Sequence, residues 1–156
     1  REIEKRNDVL VYTSAPLTED LPVFGFVTAD LFVGSDAPDT DFTVKLVDVA
    51  PDGTAWNISD TILRMRYRDG MTSAKFLKTG GVYSIAPPPM LTSRVFLKGK
   101  SSRIEVSPSN FPTYARNLNT AADPYTTTET RIANNQGLHG PGRLSKIMLP
   151  IAKLAD

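Results

Sequence analysis

The sequence has 156 residues, of which 40% are apolar and 22% charged, and its formal net charge is +1. This balance excludes a disordered chain, and no run of about 20 apolar residues is present to form a membrane-spanning helix. The near-neutral charge argues against a nucleic-acid or membrane partner, and the lack of cysteine excludes disulfides, thiolate catalysis and cysteine-bound zinc. A chain of this length fits one core, so we expect a single domain over residues 1–156.

Segments in which apolar and polar residues alternate follow one another along the chain. They predict β-strands, because successive side chains of a strand point to opposite faces. The predicted strands span residues 9–13, 22–33, 42–47, 63–68, 81–85, 92–98, 103–106 and 146–151. The pair 92–98 and 103–106 reads as a hairpin around Gly99. Three prolines at 87–89 cannot donate to a ladder, so the chain there must lie at an edge or leave its sheet.

The strand predicted at 22–33 is apolar on both faces. One face carries Val23 and Val27, and the other carries Phe24 and Phe26. Both faces of such a strand are expected to be covered, either by a second sheet or by another domain.

About eight short strands, frequent turn signals and no helical period predict an all-β fold, a β-sandwich or jelly roll. Residues 107–123 form a long polar loop, too long to serve only as a connection. Ordered loops of this kind are usually functional or interfacial, so Asn110, Phe111 and Arg116 are candidate contact residues.

Serine-hydrolase chemistry needs a Gly-x-Ser-x-Gly elbow and a histidine base, because a serine hydroxyl is a poor nucleophile until its proton is removed. The sequence has no such elbow, and its one histidine, His139, lies in a glycine-rich segment that reads as a turn. We interpret His139 as a loop or interface residue, with a role that depends on another chain or domain as the alternative. No catalytic residue and no cofactor are predicted.

The acidic group Asp36, Asp39 and Asp41 allows two interpretations. Carboxylates are calcium ligands, but the spacing of an EF-hand loop is absent, and aspartate at these positions also initiates turns. We favour turn formation, with a calcium site as the alternative.

Arg64, Arg66 and Arg68 alternate along a predicted strand and would share one face. That face is either solvated or a docking surface for an acidic partner. Trp56, the only tryptophan, is interpreted as a core or interface plug. The alternative is a ligand platform, which together with the three aspartates would suit a free-standing carbohydrate-binding module.

Four segments together resemble one known domain. They read SDAPDTDFTVKLVDVAPDGTAWNISDTILRMRYRDG, TSRVFLKG, RIEVSPSNFPTYARNLNT and LSKIMLPI. In this order and spacing they are similar to the C-terminal β-sandwich domain of the cocaine esterase / NonD / Xaa-Pro dipeptidyl-peptidase family of serine hydrolases. The resemblance implies a jelly roll of the galactose-binding-like type that follows an α/β-hydrolase domain and a helical cap, so this chain would be the C-terminal part of a longer polypeptide.

The same resemblance implies a non-catalytic role. The domain would pack on the catalytic and cap domains and help to wall the substrate pocket, while the parent protein hydrolyses an ester, an amide or an Xaa-Pro dipeptide bond. We also expect a cytoplasmic location, and homo-oligomers are compatible with this role. The candidate interdomain contacts are Arg64, Arg66, Arg68, Trp56, Asn110, Phe111, Arg116 and His139.

Overall fold

The computed structural model describes residues 2–153. Within this range the chain forms nine β-strands and two short 3-10 turns, Ile3–Lys5 and Met65–Tyr67. The strands are β1 (Leu10–Thr13), β2 (Leu21–Ser35), β3 (Asp41–Val49), β4 (Ala55–Arg64), β5 (Val82–Ile85), β6 (Met90–Phe96), β7 (Ser101–Ser107), β8 (Asn135–Leu138) and β9 (Lys146–Met148). No helix in the described part is long and apolar enough to cross a membrane.

Two antiparallel sheets make up the fold. In the first sheet the strand order is β1-β7-β3-β4. The second sheet is built on the long strand β2, whose residue Phe32 pairs with Ser84 of β5 and also with Leu138 of β8. A residue can pair with two strands only if they flank it on opposite edges, so β5 and β8 line opposite edges of β2. Val23 likewise pairs with Arg94 of β6 and with Ile151, three residues after β9, so β6 and the chain after β9 also lie on opposite edges.

The core lies between the two sheets. It is formed by alternate residues of β2 and β3 together with apolar side chains of the shorter strands, and its fully buried members include Val23, Val27, Val33, Val44, Leu46, Met65, Met90 and Phe96. This arrangement confirms the prediction of an all-β sandwich. The three prolines at 87–89 stand between β5 and β6, which pair with successive parts of β2, so the chain leaves the ladder there.

Two predictions of local structure are wrong. Strands β6 and β7 do not form a hairpin, because β6 pairs with β2 and β7 pairs with β1 and β3 in the other sheet. The turn around Gly99 connects the two sheets. The backbone N–H of Gly99 donates to the carbonyl of Leu17, and the N–H of Leu17 donates to the carbonyl of Lys100. Strand β4 starts at Ala55 and ends at Arg64, so the predicted strand 63–68 continues as a 3-10 turn.

Strand β8 is a ninth strand that the sequence did not indicate. Its residues Asn135–Leu138 are polar and glycine-containing, and they pair with β2 through backbone hydrogen bonds. Pairing of this kind at a sheet edge needs no alternation of apolar residues, so the apolar pattern did not predict this strand.

Candidate functional site

A buried ion pair joins the end of β4 to the turn before β3. The Nε of Arg66 donates to Oδ2 of Asp39 at 2.7 Å, and the backbone N–H of Arg66 donates to Oδ1 at 2.8 Å. Asp39 is fully buried and the Arg66 side chain is only 6% exposed. Burying two charges this deeply is tolerated because they are paired and hydrogen-bonded.

A second pair lies beside it and is bridged to the first by an amide. Arg64 donates through Nε and Nη2 to the two oxygens of Asp41, at 2.9 and 3.0 Å, in a bidentate fork. The side-chain nitrogen of Asn117 reaches Oδ2 of Asp39 at 2.9 Å and Oδ1 of Asp41 at 2.7 Å. The hydrogen bond that Arg64 donates to Asp41 is the main reason that the pKa of Arg64 lies above its ordinary value.

The same arginines hold the long loop that follows β7. The remaining donors of Arg66 reach the carbonyl oxygens of Thr120, at 2.7 Å, and of Ala122, at 3.2 Å. Arg64 Nη2 donates to the carbonyl of Ala115 at 3.1 Å. We call the set Asp39, Asp41, Arg64, Arg66 and Asn117 the arginine clamp, because it ties the loop to the sandwich.

A third carboxylate fixes the far end of this loop. Asp36 accepts hydrogen bonds from the backbone N–H of Asn134 at 2.8 Å and from its side-chain amide at 2.7 Å. These donors favour the charged carboxylate, so the pKa of Asp36 is lowered, chiefly by the Asn134 side chain. Arg131 also donates to the carbonyl of Asp36.

The structure therefore corrects the interpretation of the aspartates and arginines. The carboxylates of Asp39 and Asp41 bind arginine and amide donors and do not merely form turns. Arg64, Arg66 and Arg68 do not share one face of a strand, because β4 ends at Arg64 and Arg66 is buried. A direct contact of Arg64 or Arg68 with another domain stays a prediction.

Arg68 also makes contacts within the domain. Its Nη1 donates to the carbonyl of Met65 at 2.9 Å, and its guanidinium lies over the ring of Tyr83, 4.7 Å from the centroid.

In residues 2–153, no group of three or more histidine or acidic side chains is arranged to hold a metal ion.

Asn110, Phe111 and Arg116 are brought together by the loop. They line a cavity of about 410 Å³ between the loop and the outer face of the first sheet, where Lys45 and Glu105 also lie. Burial, together with the neighbouring Glu4, raises the pKa of Glu105.

His139 lies directly after β8, apart from these residues. Its Nε2 is 3.1 Å from the hydroxyl of Tyr12, and the two rings meet edge to face with centroids 5.3 Å apart. Both side chains stand at the rim of an apolar cavity of about 240 Å³ between the sheets, lined by Leu31, Val33 and Ile147 among others.

Trp56 is not a core residue, since 46% of its surface is exposed. It stands opposite Asp48 in the β3–β4 register, at the other end of this strand pair from Asp41 and Arg64. The platform imagined from the sequence, Trp56 with the three aspartates, is therefore not assembled. The neighbours of Trp56 are Ile58, Arg94 and Lys100, a grouping for which the sequence held no signal.

The outer face of the second sheet carries an apolar patch. Phe26 is 64% exposed and pairs with Leu91, which is 65% exposed, on the adjacent strand. Phe24 lies two residues before Phe26 on the same face, and Met148, 45% exposed, pairs with Thr28 on the other edge of β2. We call Phe24, Phe26, Leu91 and Met148 the sheet patch. The sequence predicted that the face with Phe24 and Phe26 is covered, but within residues 2–153 Phe26 and Leu91 stay mostly exposed.

Comparison with known proteins identifies one family and several similar proteins. Residues 1–147 match the X-Pro dipeptidyl-peptidase C-terminal non-catalytic domain. The chain is 45% identical over 155 residues to cocaine esterase of Rhodococcus sp. (strain MB1 Bresler). The matched region covers 98% of this chain and 27% of the relative.

Two solved structures are similar over nearly the whole chain. An aminopeptidase from a marine sediment archaeon, Thaumarchaeota archaeon, superposes with a TM-score of 0.88 at 32% identity, over 98% of this chain and 27% of its own. An alpha-amino acid ester hydrolase superposes with a TM-score of 0.87 at 28% identity, over 97% of this chain and 27% of its own. The chain thus spans about a quarter of the length of the proteins it resembles.

Proposed function

Since the chain belongs to the family of X-Pro dipeptidyl-peptidase C-terminal non-catalytic domains, we propose that it serves as the accessory domain of a larger hydrolase. In this role it packs on the catalytic and cap domains of the same polypeptide and helps to support the substrate pocket. The parent hydrolyses an ester, an amide or an Xaa-Pro dipeptide bond through an acyl-enzyme. The names of these relatives support this class, because an esterase, an aminopeptidase and an ester hydrolase all cleave at an acyl carbon.

The observation that carries the proposal is the sheet patch. Three strands present large apolar side chains on one flat face, and rows of this kind on a soluble domain mark interaction sites. About three-quarters of the cocaine esterase relative lies outside the region that this chain matches. We therefore take the catalytic part of the parent polypeptide as the occupant of the patch.

The energetics favour this face over the arginine clamp. Fully burying one Phe, Leu or Met side chain stabilises an interface by about 1.5–3 kcal/mol, and the patch offers four such side chains that are partly or mostly exposed. Arg66, by contrast, already spends its donors on Asp39, Thr120 and Ala122. The clamp shapes the domain, and the patch is the better candidate for the contact.

Activity assays test the division of labour. The chain alone and the longer parent polypeptide are offered an aryl ester and an Xaa-Pro anilide. We expect turnover by the parent and none by the chain. Turnover by the purified chain that follows it through two independent chromatography steps would contradict the accessory role.

Charge substitution tests the patch itself. Phe26→Asp and Leu91→Asp in the parent are expected to lower the unfolding temperature of the catalytic part, while the same changes in the isolated chain cost little because both side chains are exposed there. Met71→Asp is the matched control, since Met71 is 79% exposed but lies in the loop after Met65–Tyr67. Equal effects of all three substitutions would rule out the patch as the contact.

A further inference from the structure

A cleft of about 220 Å³ lies at one end of the β3–β4 strand pair, and it shares no lining residue with the sheet patch or the arginine clamp. It is lined by Trp56 and Ile58 from β4, Arg94 from β6 and Lys100 from the turn that connects the two sheets. The volume corresponds to about seven water molecules at liquid density, which suits a single sugar ring or a ligand of similar size.

Two basic side chains at the cleft, Arg94 and Lys100, share a single carboxylate. The fully buried carboxylate of Asp48 accepts hydrogen bonds at one oxygen, Oδ2, from Nε of Arg94 at 3.1 Å, from Nη2 of Arg94 and from Nζ of Lys100 at 3.0 Å. Its other oxygen, Oδ1, is buried and has no hydrogen-bond donor within residues 2–153. Two cations thus share one carboxylate, which leaves a net positive charge at the cleft and an unused acceptor behind it.

The apolar wall is aromatic. The ring of Trp56 is 46% exposed, and Nζ of Lys100 lies 5.0 Å from its centroid. A flat, half-exposed indole gives an apolar surface on which the C–H face of a saturated ring can stack. The Arg94 side chain is 40% exposed, and its Nη1 makes no hydrogen bond within residues 2–153, whereas Lys100 is only 18% exposed.

We propose that this cleft binds a sugar carboxylate, of which a hexuronate is the simplest example. The sugar ring stacks on Trp56, and its carboxylate accepts a hydrogen bond from Nη1 of Arg94 and balances the second cation. The proposal does not depend on the hydrolase role of the parent, because every group in it belongs to this chain.

The only tryptophan of the chain stands in the site and reports on it directly. Intrinsic fluorescence is titrated with sodium glucuronate, with glucose as the neutral control and sodium chloride as the ionic-strength control. We expect a saturable change with glucuronate, binding of glucose that is weaker by about tenfold or more, and no saturable change with the salt.

Substitutions then assign the contacts. Arg94→Gln is expected to weaken glucuronate binding by about tenfold or more and to bring it close to that of glucose, whereas Arg143→Gln, at an exposed position outside the cleft, leaves both affinities unchanged. Trp56→Ala, followed by calorimetry, is expected to abolish binding, and Trp56→Phe to retain part of it. A thermal melt confirms that each variant is folded.

Three results would overturn the proposal. The first is no saturable response to glucuronate up to tens of millimolar. The second is equal binding of glucuronate and glucose by the unmodified chain, and the third is unchanged glucuronate affinity in folded Arg94→Gln.

Discussion

Replacing Arg66 by methionine is the substitution that most sharply separates the arginine clamp from ordinary surface charge. Methionine keeps the length and much of the volume of the side chain but removes the guanidinium that Asp39 faces. Asp39 is fully buried, so the change leaves a buried carboxylate without its cation and the carbonyls of Thr120 and Ala122 without their donors.

The expected size of the effect follows from burial. Breaking a buried ion pair by removing one partner costs about 3–5 kcal/mol, whereas exposed pairs are worth about 0–1 kcal/mol. In a domain of this size, each kcal/mol lowers the unfolding temperature by about 2–4 °C, so Arg66→Met is expected to lower it by about 6–20 °C. Arg64→Met should cost less, because the Arg64 side chain is 24% exposed and water can partly replace it.

Calorimetry measures the loss, and two further variants make it specific. Arg131→Met removes an exposed arginine that donates only to the carbonyl of Asp36 among the contacts described, and it should cost about 1 kcal/mol or less. The double variant Asp39→Leu, Arg66→Met removes both charges and should recover a large part of the loss. Limited proteolysis should cut the loop 108–134 faster in Arg66→Met. A loss in Arg66→Met no larger than in Arg131→Met would refute the reasoning.

Two further predictions concern pH and backbone conformation. Asn134→Ala should raise the pKa of Asp36 toward the ordinary aspartate value of about 3.9, as read from the carboxyl carbon by NMR. Because the folded pKa is the lower one, Asp36 stabilises the fold above the unfolded pKa, and this contribution disappears as the pH falls through the folded pKa. An unchanged titration midpoint of Asp36 in Asn134→Ala would show that the Asn134 amide does not cause the lowered pKa. Gly53 has a φ of 80° in the β3–β4 turn, so Gly53→Ala should destabilise the domain by about 1–2 kcal/mol in urea unfolding, and a neutral result would exclude this strain.

The sequence indicated the sandwich well because its signals are local. Alternation marked β2 and β3 at nearly their full length, since one face of each strand must enter the core. Pairing between distant segments is a different kind of information. The turn at Gly99 looks the same whether the flanking strands pair with each other or join different sheets, and nothing in residues 92–106 distinguishes the two.

The site residues show the same division. Arg66 follows the strand period in sequence, yet the strand ends two residues earlier and the side chain turns inward to Asp39, 27 positions away. Asn117 was not among the predicted contact residues, because only the fold brings both carboxylates to its amide. Phe26 differs from these two residues. An apolar residue on the second face of a core strand already predicts that another sheet or domain packs on that face.

The central claim is that the sheet patch is covered by the catalytic part of the parent hydrolase, and methionine oxidation tests it most directly. The chain has four methionines, of which Met65 and Met90 are buried, Met148 belongs to the patch, and Met71 is exposed elsewhere. With dilute peroxide and mass spectrometry, we expect Met71 and Met148 both to oxidise in the isolated chain. In the intact parent, Met148 should become protected while Met71 stays reactive. Oxidation of Met148 at the same rate relative to Met71 in both forms would contradict the claim.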